Sequence, residues 1–444
     1  MLSWPMPHDT LVEAATTTWR RLDGVSAETR CWFVPGRLEV LGKHTDYAGG
    51  RSLLCAAERG MLFLAAPRAD ARVRIVEAGT GAAADFTIAA DLPGDTGHWP
   101  DFPMTVARRL ARDFPGRLHG VDMVFTGDLP RAAGMSSSSA LVVGCFTALA
   151  DVNALQGRPE YAAGIHGLED LADYLGAIES GRSFGPLAGD RGVGTAGGSE
   201  DHTAMLCCGA ERLGQFVFGP TRRERSIPFP AAWTFAIAVS GVVADKIGAA
   251  REPYNRAAAL AEEAARLWRE ATGRSDPHLG AVVASSPDAA DRLRDILRDA
   301  GSGAPAARDL LDRCEQFLAE TTEIIPEVGD CLARGDVEDI GLLVDRSQKM
   351  AERLLKNQVS ETVALARLAR EHGAAAASAF GAGFGGAVWA LVQTTRAAEF
   401  LDAWAGAYRA AFPSRAPDAR FLLTRPGPPL RRLEPPAAAT AAPA

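Results

Sequence analysis

The sequence predicts an α+β chain of two domains, and three features predict it. Through the first half, strand-like runs alternate with helical patterns. The second half opens on long helical spacing and then hands over to a strand pattern. Between them, "FGPTRRERSIPFPAAW" interrupts the apolar pattern with proline and charge, which sets a boundary near residue 230. The expected division is residues 1–230, residues 231–430 and a tail over 431–444.

Each element follows from local pattern. "CWFVPGRLEVLG" and "VDMVFTGDL" are rich in β-branched and aromatic residues and read as strands, with "FPMTVARRLARDF" between them spaced as a helix. "TFAIAVS" opens the second half as a strand. Ala258, Leu260, Ala261, Ala264, Leu267, Trp268 and Ala271 then follow helical spacing, and Gly273 is placed to stop that helix. "VEDIGLLVDRSQKMAERLLKNQ" and "ETVALARLAREHG" continue as helices, and "AVWALV" reads as a buried strand. The tail "RRLEPPAAATAAPA" is low in complexity and is expected to be disordered, and no internal repeat is visible.

Composition narrows the function. The 444 residues are 47% apolar and 23% charged, with a formal net charge of -8, so no basic field exists for a nucleic acid and a bound anion needs a local site. The seven cysteines form no CxxC pair and no zinc spacing, which fits a reducing compartment. The first residues lack a basic start followed by an apolar core, so the protein is expected to be cytoplasmic. Residues 132–150 and 373–395 carry no charged side chain, but serine in the first and glycine in the second dilute them below a membrane span. No membrane partner is expected, and the oligomeric state stays open, a monomer being compatible with the sequence.

Three stretches carry chemistry. "PGRLEVLGKHTDYAGG" crowds Arg37, Lys43, His44 and Asp46 beside glycines, a density that suits a site. "DLPRAAGMSSSSALVVGCFTALA" joins a strand end, a Gly134 turn and four serines to an apolar helix pattern. The first N–H groups of a helix lack intrahelical partners and sit at the positive end of the dipole, so such a junction receives phosphate; a serine-rich helix cap is the plainer account. It is not a Walker A loop, since GxxxxGK[ST] is absent. "FGAGFGGAVWALV" runs from a glycine loop into a strand, which serves either a tight turn or ligand contact.

Read together and in this order, the three stretches resemble the motifs of the GHMP small-molecule kinases, and within them the galactokinases. The usual patterns there are P-G-R-x-N-x-I-G-E-H-T-D-Y-x-G-G, P-x-G-x-G-L-S-S-S-A and G-A-G-F-G-G. "HWPDF", "SEDH" and "REPYNRAAALAEEAARL" extend the likeness from about Val34 to Val392. The resemblance implies a two-domain GHMP kinase fold: an N-terminal ribosomal-protein-S5-like domain with a left-handed crossover, and a C-terminal ferredoxin-like domain. It also implies transfer of the γ-phosphoryl group of ATP, with Mg2+, to the anomeric hydroxyl of a sugar.

By the same resemblance Asp201 is the catalytic base, and Arg37 sits beside it, where a fixed positive charge favours the carboxylate and attracts phosphate. On sequence alone Asp201 serves equally as a helix cap. Lys43, His44, Asp46, Gly198 and Tyr254 fall on sugar-binding positions. Trp99 falls on an adenine-pocket aromatic, although a core tryptophan reads the same way. Gly134, Ser136, Ser137, Ser138 and Ser139 fall on the phosphate loop. Ser138 and Glu179 are the expected magnesium ligands, with Asp190 as the rival carboxylate, because "GPLAGDRGVGTAG" lengthens the segment before Asp201.

Two departures stand out. Lys43 replaces the glutamate that accepts a hydrogen bond from the sugar near C6, and an ammonium has no acceptor. Either it turns to Asp46, Glu39 or solvent, or it faces the pocket and pairs with an anionic sugar substituent. Ser378, in "SAF", stands where arginine is common. Three functions remain: a kinase for galactose or a galactose-like sugar, a kinase for an acidic sugar such as galacturonate or glucuronate, and a non-catalytic sugar and ATP sensor.

Overall fold

The computed structural model describes residues 9–22, 28–94, 97–130, 134–243, 251–299 and 305–437. Two sheets organise them. The larger contains β1 (Arg30–Leu41), β2 (Arg51–Pro67), β3 (Arg72–Glu77), β4 (Ala83–Thr87), β5 (Val121–Gly127), β6 (Arg212–Val217) and β7 (Arg222–Pro228). β8 (Trp233–Val239), β9 (Ala376–Phe380), β10 (Ala387–Gln393) and β11 (Arg420–Thr424) form the smaller sheet, and β12 (Arg431–Leu433) returns to the larger one.

The large sheet runs β12-β1-β2-β5-β3-β4, with β6 pairing β2 and β7 pairing β6. Its pairs are antiparallel except β3 with β5, whose connection carries β4 and the helix Asp101–Asp113. Helix Ser137–Val152 is apolar almost all round and is buried between this sheet and its neighbours, where Ala140, Val143 and Phe146 join the same core as Leu54, Phe63 and Met123.

The small sheet is antiparallel in the order β11-β8-β10-β9, and its chain order is strand, helices, two strands, helix, strand. That is the ferredoxin-like arrangement. Both faces are buried. Phe235 and Ile237 of β8 and Trp389 and Leu391 of β10 pack toward the large sheet, whereas Ala236, Ala238, Val388 and Ala390 pack with Leu365, Trp404 and Tyr408 of the covering helices. A strand covered on both sides needs an unbroken apolar run, which is why "AVWALV" shows no alternation. Trp389 Nε1 donates to Val40 O at 3.1 Å, joining the two sheets directly. Between β8 and β9 lies a helical layer whose core includes Ala264, Trp268, Leu293 and Phe317.

One expectation is corrected. The tail was expected to be disordered from residue 431, yet Arg431–Leu433 pairs antiparallel with β1, Cys31 lying opposite Leu433. β1 would otherwise be an edge with unpaired backbone groups, and the Arg431 guanidinium lies 5.0 Å from the Phe33 ring centre. Residues 438–444 lie outside the described residues. All seven cysteines are free thiols. Among the described residues, no helix is long and apolar enough to cross a membrane.

Candidate active site

The three sequence motifs converge on one cleft. Arg37 and Glu39 stand two residues apart on β1 and so share a face, and register shifts on either side of them re-aim both toward the cleft. The cleft is also lined by His44, Asp46, Ser139, Glu179, Gly198, Glu200, Asp201, His202, Tyr254, Gly381 and Ala382.

At its floor Arg37 holds Asp201. Nε donates to Asp201 Oδ1 at 2.7 Å, Nη2 donates to the same oxygen, and Nη1 donates to Gly134 O at 2.7 Å. Arg37 is 2% exposed. Burial alone would lower its pKa, but Asp201, Glu200 and Glu39 outweigh burial and raise it, so the guanidinium stays charged. Asp201 lies in the first turn of helix Glu200–Cys207, and its Oδ2 accepts from the Ser139 hydroxyl at 3.2 Å.

Four expected sugar-binding residues meet on one wall. His44 has φ 60°, a strained value for a non-glycine residue. Its ring is held on both sides, Nδ1 with the Tyr47 hydroxyl at 2.8 Å and Nε2 with Ala382 O at 3.0 Å. With a carbonyl at Nε2, the proton belongs there and Nδ1 accepts from the tyrosine. Tyr254 packs 4.9 Å from the His44 ring. Asp46 Oδ2 accepts from the Glu200 N–H at 3.3 Å, and burial raises its pKa. Gly198 makes this approach possible, because a Cβ there would fall 2.2 Å from Asp46 Oδ2.

The N-terminus of helix Ser137–Val152 reaches the cleft through Ser139, while Gly134, Ser136, Ser137 and Ser138 are not among the lining residues. Gly134 turns at φ 73° and Ser136 at φ 59°, and the buried Ser136 hydroxyl has no hydrogen-bond partner. Ser137 and Ser138 are half-buried. Of the two expected magnesium ligands, Glu179 lines the cleft, where its Oε2 accepts from Ser139 at 2.9 Å, and the same hydroxyl lies 3.2 Å from Asp201 Oδ2. Successive helix residues are about 100° apart, and Ser138 is not among the lining residues. The rival carboxylate, Asp190, accepts from Arg108 Nε at 2.7 Å in a buried pair and is not among the lining residues. Trp99 lies edge-on to Phe125, 5.4 Å between ring centres, and is likewise not a lining residue. An oxygen set of one hydroxyl and two carboxylates suits a magnesium ion that keeps most of its waters.

Lys43 is the other correction. It is 1% exposed and leaves the cleft, donating to Ser378 Oγ at 2.8 Å and Ser347 Oγ at 3.1 Å. Ser347 in turn donates to buried Glu320. The two departures seen in the sequence therefore meet each other: Lys43 bonds the serine that stands where arginine is common. Lys43 is not positioned to receive a substrate carboxylate.

The comparisons with known proteins agree with this architecture. Residues 21–67 match the galactokinase galactose-binding signature, 101–183 the GHMP kinases N terminal domain and 330–410 the GHMP kinases C terminal domain. The chain thus carries matches to both domains of the GHMP kinases, in order along the sequence. It is 28% identical to the galactokinase of Chloroflexus aggregans over 389 residues, 86% of this chain and 88% of that one. Against the Enterococcus faecalis galactokinase the figures are 25% over 387 residues, 86% and 90%. The fold matches that of Lactococcus lactis galactokinase complexed with galactose, with a TM-score of 0.77 at 21% identity, covering 95% of this chain and 99% of that one.

The sequence pattern did not single out Glu39, Glu200 and His202 as lining residues. Glu39 was visible, since period two puts it on the face of Arg37, and the usual first motif has asparagine there. Glu39 Oε2 accepts from the Gly381 N–H at 3.0 Å, and the Glu39 carboxylate also accepts a hydrogen bond from the Glu200 carboxyl when that group carries a proton. Burial pushes Glu39 up to about 7 against the pull of Arg37 and Lys43, and raises Glu200 well above the usual range with Glu39 adding to it. The two carboxyls thus hold a proton between them near neutral pH. His202 Nε2 lies 3.1 Å from Glu179 Oε2.

Proposed function

We propose that this protein is an ATP-dependent sugar kinase that phosphorylates the anomeric (C1) hydroxyl of galactose or a galactose-like monosaccharide. The observation that carries the reading is the Arg37–Asp201 pair, set between a polar wall of His44, Asp46 and Tyr254 and the N-terminus of helix Ser137–Val152. Asp201 accepts the proton of the attacking hydroxyl, and Arg37 fixes its orientation and offsets charge on the transferring phosphoryl group. The helix N-terminus and the Ser136 hydroxyl bind the phosphates. Mg2+ on Ser139 and Glu179 would supply charge neutralisation at the phosphates. Trp99 is the proposed adenine contact. The division at residue 230 separates the two domains, and the protein acts in the cytoplasm on small molecules.

An acidic-sugar kinase is disfavoured by the same geometry, because Lys43 faces away and the cleft presents Glu39, Asp46, Glu179, Glu200 and Asp201. The test is ADP release over a panel of neutral and acidic monosaccharides, with the product's phosphate position assigned by phosphorus and carbon NMR. A C1 phosphate on galactose is expected. Sugar and ATP binding without ADP release would make the protein a sensor instead.

A further inference from the structure

The cleft holds one buried acceptor that the phosphoryl-transfer roles leave unused. Glu39 is 3% exposed, lines the cleft and keeps Oε2 on the Gly381 N–H, while its buried Oε1 has no donor beyond the proton it shares with Glu200. Two buried carboxyls that share one proton are short of donors, and a bound ligand that brings a donor reduces that cost. Four groups act on it: Arg37 on its own strand, Lys43, Glu200 and the Gly381 N–H of the third motif. Even where Glu200 contributes its proton, Oε1 has a second lone pair to offer.

We propose that Glu39 is a specificity-determining residue of the sugar site: its Oε1 accepts a hydrogen bond from a hydroxyl or amino substituent of the sugar and disfavours sugars that carry a carboxylate there. The arrangement places the selecting charge on β1 rather than at residue 43. Lys43 supports it from the far side, its charge favouring ionised Glu39 while its own hydrogen bonds go to Ser347 and Ser378. The inference rests on the sugar-kinase reading for its ligand class, and it is tested by binding so that the two fail separately.

The experiment measures sugar Kd by calorimetry, and ADP release alongside it, for galactose, its monodeoxy derivatives and galacturonate, in the parent, Glu39→Gln and Glu39→Asn. In Glu39→Gln the Gly381 N–H claims the amide oxygen, so an N–H2 donor faces the sugar where an acceptor stood. The expected result is a roughly 10- to 100-fold weaker Kd for galactose in both variants with ATP binding unchanged. One deoxy sugar should bind the parent weakly and lose nothing further in the variants, and the galacturonate-to-galactose ratio should rise. Equal losses for every sugar, or unchanged ratios, would overturn the role of Glu39. If the parent binds none of the sugars, both readings fall; binding without ADP release removes only the kinase, and the Kd ratios still decide for or against Glu39. Glu39→Asn places the residue of the usual first motif at this position and guards against a folding defect peculiar to glutamine.

Discussion

Arg37 and Lys43 are both buried cations of the first motif, 2% and 1% exposed, yet their surroundings differ in kind. Arg37 meets the carboxylates of Asp201 and Glu200 at the floor of an open cleft. Lys43 meets two hydroxyls in a closed cluster, with carboxylates one step further out at Glu320 and Glu39. The first charge is available to a ligand. The second is consumed by the protein, where it balances carboxylates contributed by distant parts of the chain. A cation in a binding motif is therefore a ligand contact only when its partners leave one side of it open.

That contrast is broken most strongly at the cleft. Asp201→Asn keeps the hydrogen-bonding shape but removes the base, so kcat should fall by about 10³-fold while sugar and ATP Kd change little. Steady-state kinetics with calorimetry check this, and a near-parental kcat would remove Asp201 from its role. At the closed cluster the effect should be on folding instead. Lys43→Glu sets a carboxylate beside Glu320 and Glu39 in a buried site, and stability should drop by about 3–5 kcal/mol in urea denaturation. Lys43→Met combined with Glu320→Gln should recover much of the loss, because the cluster then carries less unpaired charge. A stable Lys43→Glu protein with improved galactose use would instead put residue 43 in the cleft.

Ser139 sits between the two extremes, buried like Lys43 but bonded to the working carboxylates. Ser139→Ala removes a donor shared by Glu179 and Asp201. A hydrogen bond to a charged group contributes about 1.5–3 kcal/mol, so activity should fall by at least tenfold, with a larger change in the magnesium concentration needed for half-activity than in sugar KM. Ser138→Ala should be milder on both readouts, and the reverse order would restore Ser138 as the carboxylate's partner.

What the sequence made legible follows from the range of the interactions. Arg37 and Asp201 were found because their motifs are local and their pairing is the family's. The small sheet was legible in "AVWALV" because burial on both faces leaves its mark on every residue of a strand. Lys43 was not legible: β1 ends at Leu41, period two stops applying, and its partners Ser347 and Ser378 lie 304 and 335 positions away. The Ser139–Glu179 hydrogen bond was not legible, because motif alignment carries no rotation, whereas a helix turns about 100° per residue. β12 escaped because "RRL" is held by backbone pairing to an edge, which composition does not record.

The most gradual expected effect sharpens the contrast from the side of Glu39, which lies between the two cations. Burial lifts its pKa from 4.5 to about 7, and the opposing pull of Arg37, Lys43, Glu200 and the Gly381 N–H does not cancel that. The folded protein therefore binds this proton more tightly than the unfolded chain does. Stability from this group is full below about pH 4.5 and is lost as pH rises through about 7, since the unfolded chain ionises first. Glu39→Gln has no proton to lose. Its stability relative to the parent should thus improve with pH across that window and level off above it, by about 2–3 kcal/mol between pH 5 and 8. Glu200, coupled to Glu39 and facing Asp46 and Asp201, should ionise more easily in the variant and add in the same direction. Urea denaturation of both proteins at pH 5, 6, 7 and 8 reads the difference directly, other titrating groups being common to both. A difference that stays flat across the series would mean that Glu39 is already ionised at pH 5 and that its neighbours, Lys43 included, outweigh its burial.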